Sequence, residues 1–189
     1  TSEARRDKFQ MIECIRANGL NAVRQTVVGS PQEAIKWSLD NDAFPCVLKP
    51  RDSAGTDRVR LCASPSEVES YFAEHMHAMT MLNTPIEGVL VQECLRGVEY
   101  VVDTVSCQGK HFVVAVWRYG KSEVNGSHFV YDTLRLLSGF SPREMALIDY
   151  VKSCLTALGV QYGSAHTEVM LTDRGPYLVE VGARMHGDI

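Results

Sequence analysis

The chain shows two successive patterns of apolar and polar residues. Up to about residue 95, stretches with the spacing of amphipathic helices alternate with short apolar runs. The spacing predicts helices over 4–18, from Ser30 to about Leu39 and from Ser64 to about Met79. Short strands are predicted between them, at 21–28, 44–49, 58–62 and 89–94.

Beyond residue 97 strand-like runs follow one another directly, which is typical of an antiparallel sheet. The predicted strands are 100–107, 110–119, 129–136, 165–171 and 177–181. Turns at 108–109 and 172–176 join the first pair and the last pair. One amphipathic helix, 142–158, precedes Gly159.

The fold class that these elements predict is α+β, in two lobes that divide near Leu95. We expect a lead-in helix over 1–20, a small strand–helix lobe over 21–95 and a larger antiparallel-sheet lobe over 96–189. Because ligands are commonly bound in clefts between lobes, a ligand is expected there.

Composition narrows the class of partner. The formal net charge of -4 gives no basic face for nucleic acid. The longest apolar runs, such as 112–117, are too short to cross a membrane. The six cysteines form no Cys-x-x-Cys pair, and most lie in apolar runs, which favours buried reduced thiols and a cytoplasmic location.

A lysine stands at the end of one apolar strand. Lys49 ends the run that begins at Phe44, and the small residues Ser53, Ala54 and Gly55 follow it. A polyphosphate needs a fixed positive charge and a loop whose backbone amides can approach closely. The alternative is a surface lysine followed by an ordinary hairpin turn.

Two glutamates provide the strongest chemical signal. Glu168 and Glu180, twelve residues apart, fall on adjacent strands of the predicted final hairpin. Facing carboxylates in apolar runs are costly unless a cation neutralises them, and Mg²⁺ prefers such oxygen ligands. Arg184 follows four residues later and could meet a phosphoryl group. The alternative is a pair of solvent-facing glutamates.

In order along the chain, these motifs resemble the ATP-grasp superfamily. The series is Asp7-Lys8, Val47-Leu48-Lys49-Pro50 with 53–55, Gln92-Glu93 with Gly97-Val98-Glu99-Tyr100, and Glu168 and Glu180 with Arg184. The closing segments 165–168 and 175–184 look most like the L-amino-acid (dipeptide) ligase branch. The resemblance covers nearly the whole chain and implies an ATP-grasp fold with the nucleotide cleft between two α/β lobes.

The resemblance also implies roles for individual residues, with ATP and Mg²⁺ (or Mn²⁺) as cofactors. Phosphate contacts would come from Lys8, Lys49 and the loop Ser53, Ala54 and Gly55. Adenine would lie beside Gln92, Glu93, Cys94 and Leu95, and ribose beside Glu99. Glu168 and Glu180 would hold the metal, while Arg184, with Lys49, would stabilise the transition state of acyl-phosphate chemistry.

One position departs from the family pattern. Many members have Asn two residues after the second metal glutamate, where this chain has Gly182, so a third protein ligand to the metal is not expected at that position. The family also carries a separate N-terminal domain, so we expect the chain to be a fragment that is inactive alone. A homodimer is expected to form only through parts outside the fragment.

The resemblance implies an ATP-dependent carboxylate–amine ligase acting on small molecules such as amino acids. One alternative is a carboxylase-type ATP-grasp enzyme that activates bicarbonate or formate. The other is a nucleotide-binding module without catalysis.

Overall fold

A computed structural model of the chain describes residues 7–52, 57–124 and 127–187. The described elements are α1 (Lys8–Ala17), β1 (Gln25–Val28), α2 (Pro31–Asp40), β2 (Cys46–Pro50), β3 (Arg60–Cys62), α3 (Pro65–His75), β4 (Val89–Glu93), β5 (Val98–Cys107), β6 (Lys110–Val124), β7 (Ser127–Leu136), α4 (Pro142–Ala157), β8 (Gly163–Thr172) and β9 (Gly175–Gly182). They form two compact units, one of 23–94 with 7–9 and one of 95–187 with 10–22. None of the helices described is long and apolar enough to span a bilayer.

The 23–94 unit contains a four-stranded antiparallel sheet in the order β1-β4-β2-β3, with α2 and α3 packed beside each other. Both helices begin as the sequence predicts. Ser30 and Ser64 accept the backbone N–H of the residue three positions on, and a proline follows each serine. The core between helices and sheet is apolar, with Leu48, Val68 and Tyr71 fully buried.

The prediction that α3 continues to Met79 was wrong, because the helix ends at His75. The segment after it folds back on itself, with His77 N–H donating to Ile86 O at 3.1 Å and Thr80 N–H donating to Thr84 O at 2.8 Å. These hydrogen bonds satisfy backbone groups outside a helix, and Asn83, with a φ of 59°, occupies the turn.

The 95–187 unit contains a five-stranded antiparallel sheet in the order β7-β6-β5-β8-β9. One face is covered by α4, which packs against β6, β8 and β9 and starts at a reciprocal Ser141–Glu144 capping box. Tyr150 fixes α4, since its hydroxyl donates to Asn21 O at 2.6 Å and accepts Leu178 N–H at 2.9 Å. Because side chains alternate along a strand, every second residue points to the opposite face.

Candidate functional site

The final hairpin brings the two predicted metal carboxylates together. Glu168 on β8 pairs directly with Glu180 on β9, and the register of the two strands shifts immediately afterwards, between Glu168 and Val169. Residues directly opposite on antiparallel strands share a face, with Cβ atoms about 4.5–5.5 Å apart. Two negative charges so placed repel each other unless a cation lies between them.

The set of oxygen donors fits Mg²⁺ bound partly by a polyphosphate. Within residues 7–52, 57–124 and 127–187 no group of three or more His, Cys, Asp and Glu side chains is arranged to hold a metal. Two carboxylates are what Mg²⁺ typically takes from a protein, with phosphate oxygens and waters completing its octahedron. Glu168 and Glu180 supply two carboxylates of this kind on one face of the sheet.

Gly182 and Arg184 lie just beyond Glu180. Arg184 is exposed, and its Nη1 donates to Met185 O at 3.1 Å. A Cβ built at Gly182 would lie 3.6 Å from Arg184 Cγ and 3.8 Å from its Nε. The stem of the arginine thus occupies the space beside position 182, where many family members carry an asparagine side chain.

Glu99 lies on the same face of the sheet as Glu168. Val101 pairs with Glu168, and Glu99 is two residues before Val101 on β5. Glu99 is buried, with an exposed fraction of only 4 %.

A buried polar network adjoins the glutamates and was missed at the sequence level. Asp103 Oδ1 lies 2.9 Å from His166 Nδ1, and Trp117 Nε1–H donates to Asp103 Oδ2 at 3.0 Å. Burial lowers the pKa of His166, the hydrogen bond to Asp103 acts in the opposite direction, and the positive charge of Arg184 lowers it further. The available signal was a single charged residue, Asp103, within the strand-like run 100–105.

The ring of His186 packs against two members of this network, Trp117 and His166. Its ring centroid lies 5.0 Å from that of Trp117 and 5.3 Å from that of His166. Its Nε2 is 3.0 Å from the hydroxyl of Tyr119. The residue two positions after Arg184 is thereby fixed against the sheet, a contact between distant segments that no local pattern predicts.

In the 23–94 unit, Lys8 and Lys49 are both buried, with exposed fractions of 6 % and 7 %. The backbone N–H of Lys8 donates to Arg51 O at 3.2 Å, and Asp7 forms an ion pair with Arg51. These contacts hold the start of α1 beside the end of β2, where Lys49 lies. The predicted phosphate loop, Ser53, Ala54 and Gly55, lies outside the described residues.

The side chains predicted beside adenine have partners in β1 and its lead-in. Glu93 forms an ion pair with Arg24, with Oε2 3.1 Å from Nε and 3.0 Å from Nη2, and Oε1 accepts Arg24 N–H at 3.0 Å. Gln92 Nε2 donates to Gln25 Oε1 at 2.8 Å. Glu93 and Gln92 therefore stabilise the contact of β4 with β1 and with Arg24, the residue before it.

Comparison with known proteins identifies the family. Residues 42–189 match the ATP-grasp domain family, so the chain belongs to the ATP-grasp family. It is 35 % identical over 186 residues to dapdiamide A synthase of Enterobacter agglomerans, covering 98 % of this chain and 44 % of that protein. The chain thus spans less than half the length of this relative.

Two solved structures share the fold. An L-amino acid ligase from Bacillus licheniformis superposes with a TM-score of 0.77 at 24 % identity, over 98 % of this chain and 42 % of that one. A D-alanine–D-alanine ligase from Bacillus anthracis complexed with ATP gives a TM-score of 0.72 at 18 % identity. The match covers 96 % of this chain and 56 % of that ligase. Both confirm the α+β ATP-grasp fold predicted from the sequence.

Proposed function

We propose that the full-length protein is an ATP-dependent carboxylate–amine ligase that joins amino acids or similar small carboxylates and amines through an acyl phosphate. The observation that carries the proposal is the direct pairing of Glu168 with Glu180, with Gly182 at the end of β9 and Arg184 two residues beyond it. This arrangement offers two hard oxygen ligands and a guanidinium within one short segment.

The relatives support this substrate class. The names of the similar proteins include an L-amino acid ligase and a D-alanine–D-alanine ligase, and the latter was determined with ATP. The similarity to dapdiamide A synthase extends over almost the entire chain. Because the chain covers under half of that relative, the proposal concerns the activity of the whole protein. From the cysteine pattern we also propose that this protein is cytoplasmic.

Each unit supplies its own part of the chemistry. In the 95–187 unit Glu168 and Glu180 would hold Mg²⁺, which neutralises phosphate charge when bound. In the 23–94 unit Lys8 and Lys49 would place ammonium groups against phosphate oxygens, as point charges fixed by burial. Glu99 would accept hydrogen bonds from ribose hydroxyls, and the backbone of 92–95 would meet the adenine edge.

The reaction transfers one phosphoryl group and forms one amide. A carboxylate oxygen of the first substrate attacks the γ-phosphorus, and ADP leaves. The amine of the second substrate then attacks the acyl carbon, loses a proton and expels inorganic phosphate, which retains the attacking oxygen. Arg184 would stabilise the negative charge that develops on the transferred group, because its planar fork matches phosphoryl oxygens.

The test is an activity screen of the full-length protein with ATP, Mg²⁺ and pairs of amino acids, with ADP, phosphate and the coupled product measured together. We expect ADP and phosphate in equal amounts, dependent on both substrates, and a product lighter than their sum by one water. ATP hydrolysis that requires bicarbonate and no amine would indicate the carboxylase-type reaction. Nucleotide binding without turnover for any pair would indicate a non-catalytic module.

A further inference from the structure

Arg24 and Glu93 lie opposite each other one step beyond the pair Gln25–Gln92, where β1 begins. In a regular antiparallel pair of this kind the two residues exchange both backbone hydrogen bonds. Here Glu93 N–H donates to Arg24 O at 3.0 Å, whereas Arg24 N–H donates to Oε1 of the Glu93 side chain at 3.0 Å. The Glu93 carboxylate thereby takes the acceptor position that the Glu93 carbonyl holds in a regular pair.

The guanidinium of Arg24 binds the other oxygen of the same carboxylate. Oε2 of Glu93 lies 3.1 Å from Arg24 Nε and 3.0 Å from Arg24 Nη2, while Nη1 donates to Asn41 O at 2.6 Å. Asn41 is the C-terminal cap of α2, and its side chain donates to Trp37 O at 2.8 Å. Arg24 therefore connects the end of β4 to the end of α2 through its side chain.

These bonds act at the point where β4 ends. The strand ends at Glu93, and the 23–94 unit ends one residue later. Glu93 is 6 % exposed, whereas the side chain of Arg24 is 45 % exposed and reaches the carboxylate from the surface. Hydrogen bonds to ionised groups are short and directional. Because three of them hold one carboxylate, the backbone that carries it is fixed as well.

We propose that Arg24 and Glu93 are positioning residues for base recognition, which fix the backbone at the end of β4 so that the nucleotide site selects adenine over guanine. This role rests on the proposed contact between the backbone of 92–95 and adenine. At ring carbon C6 adenine carries an amino donor, where guanine carries a carbonyl acceptor. A backbone group held in one place discriminates between the two bases, and one that shifts discriminates less.

The experiment compares the Kd of ADP with that of GDP, each with Mg²⁺, for the full-length protein by calorimetry. The wild type should prefer ADP by about 10-fold or more, the factor that one or two neutral hydrogen bonds confer. Arg24→Met, which keeps an apolar stem without the guanidinium, and Glu93→Ala should each reduce this preference to about 3-fold or less.

Two milder variants test for rescue. Arg24→Lys keeps the charge, and Glu93→Gln keeps an acceptor for Arg24 N–H, so each should retain part of the preference for ADP. Thermal unfolding shows whether each variant is folded, and the milder pair decides the question where Arg24→Met or Glu93→Ala is not.

Two controls separate positioning from a general loss of stability. Arg60→Met removes a similar contact in the same unit, in which Arg60 Nη1 and Nη2 lie 3.2 Å and 2.6 Å from the two carboxylate oxygens of Glu74. It should keep the wild-type preference for ADP. Lys49→Ala should raise both Kd values by the same factor, because the two nucleotides carry the same phosphates.

Wild-type preference in the folded Arg24 and Glu93 variants would overturn the positioning role and leave the proposed function intact. An equal loss of preference in Arg60→Met would overturn it too, since destabilisation would then be the cause. Equal affinity of the wild type for ADP and GDP would overturn the adenine contact and this role together, while the ligase reaction would stand. Absence of ADP binding to the wild type would overturn the proposed function itself.

Discussion

Glu168 and Glu180 are direct cross-strand partners on β8 and β9, at the point where the register of the two strands shifts. Their repulsion has a consequence for the protein without metal, because like charges directly opposite each other destabilise a sheet. The pair that we propose to bind a cation should therefore reduce stability when the cation is absent.

Glu180→Gln should have opposite effects on activity and stability. Turnover with Mg²⁺ should fall by more than the roughly 10- to 100-fold that loss of an outer-shell partner causes. The metal-free protein should become more stable by about 0.2–1 kcal/mol, since one of the two charges is gone. Steady-state kinetics and chemical unfolding measure the two effects. Glu13→Gln, which changes a half-buried helix glutamate paired with Arg16, should leave activity unchanged and stability within about 0.5 kcal/mol of wild type. Full activity in Glu180→Gln would refute the metal role.

Lys49→Ala should weaken nucleotide binding. A hydrogen bond to a charged group contributes about 1.5–3 kcal/mol, so Kd for ADP measured by calorimetry should rise by about 10- to 150-fold. Lys36→Ala is the control, because that lysine is 76 % exposed and pairs with Asp40 on α2. Equal affinity of the Lys49 and Lys36 variants would show that Lys49 is only a structural lysine.

Gly97→Ala should destabilise the 95–187 unit. A Cβ at Gly97 would lie 2.2 Å from Leu171 O and 2.8 Å from Leu171 C, which are backbone atoms that no rotamer change can move. Overpacking of this kind typically costs about 1–3 kcal/mol, measurable by urea unfolding. In Gly29→Ala a new Cβ meets no atom within 4 Å, so that control should remain within about 0.5 kcal/mol of wild type. Equal stability of the two variants would contradict the close approach of Gly97 to β8.

His75 lies among two arginines and a tyrosine in the 23–94 unit. Its Nδ1 is 3.1 Å from Arg58 Nη1, its Nε2 is 3.4 Å from Arg60 Nη2, and its ring centroid is 4.8 Å from that of Tyr71. Glu74 Oε2 lies 3.7 Å from Nε2. Burial lowers the pKa of His75 below its ordinary 6.5, and both arginines lower it further.

This environment predicts a loss of stability in mild acid. At pH values above the unfolded pKa of His75, its imidazole is neutral in both the folded and the unfolded state. In that range His75 therefore does not make the free energy of unfolding depend on pH. As the pH falls below about 6.5, the unfolded chain takes up a proton before the native one, and stability declines until the native pKa is passed. His75→Gln should reduce the decline between pH 7 and 5.5 in urea unfolding, with the remainder due partly to His111 and His166, whose pKa values burial also lowers. An unchanged decline would contradict this account.

The elements and the hairpin that carries the two glutamates could be predicted because local signals determine them. Serine caps followed by prolines mark the starts of α2 and α3, and the short turn at 172–176 makes β8 and β9 adjacent strands. The register that the turn sets would place Glu168 opposite Val179, and the shift between Glu168 and Val169, which no local pattern predicts, places it opposite Glu180. The end of α3 was not predictable in the same way. Backbone pairing of 77–80 with 84–86, an interaction of the folded chain, competes with the helix there.

Contacts between distant segments account for the rest of what was missed. Arg24 pairs with Glu93 from 69 residues away, and His166 with Asp103 from 63 residues away. No periodicity or spacing in the sequence predicts such partners. The ion pair of Glu93 with Arg24 and the buried Asp103–His166 pair are therefore seen only in the folded chain. The catalytic and binding roles of Lys8, Lys49, Glu99, Glu168, Glu180 and Arg184 remain predictions.

The most direct test of the central claim follows one oxygen atom. The full-length protein would be given ATP, Mg²⁺, an amine and a carboxylate substrate labelled with ¹⁸O, and the phosphate released would be analysed by mass spectrometry. An acyl phosphate intermediate predicts one ¹⁸O atom in each phosphate, together with ADP. Unlabelled phosphate, or AMP and pyrophosphate as products, would contradict the account.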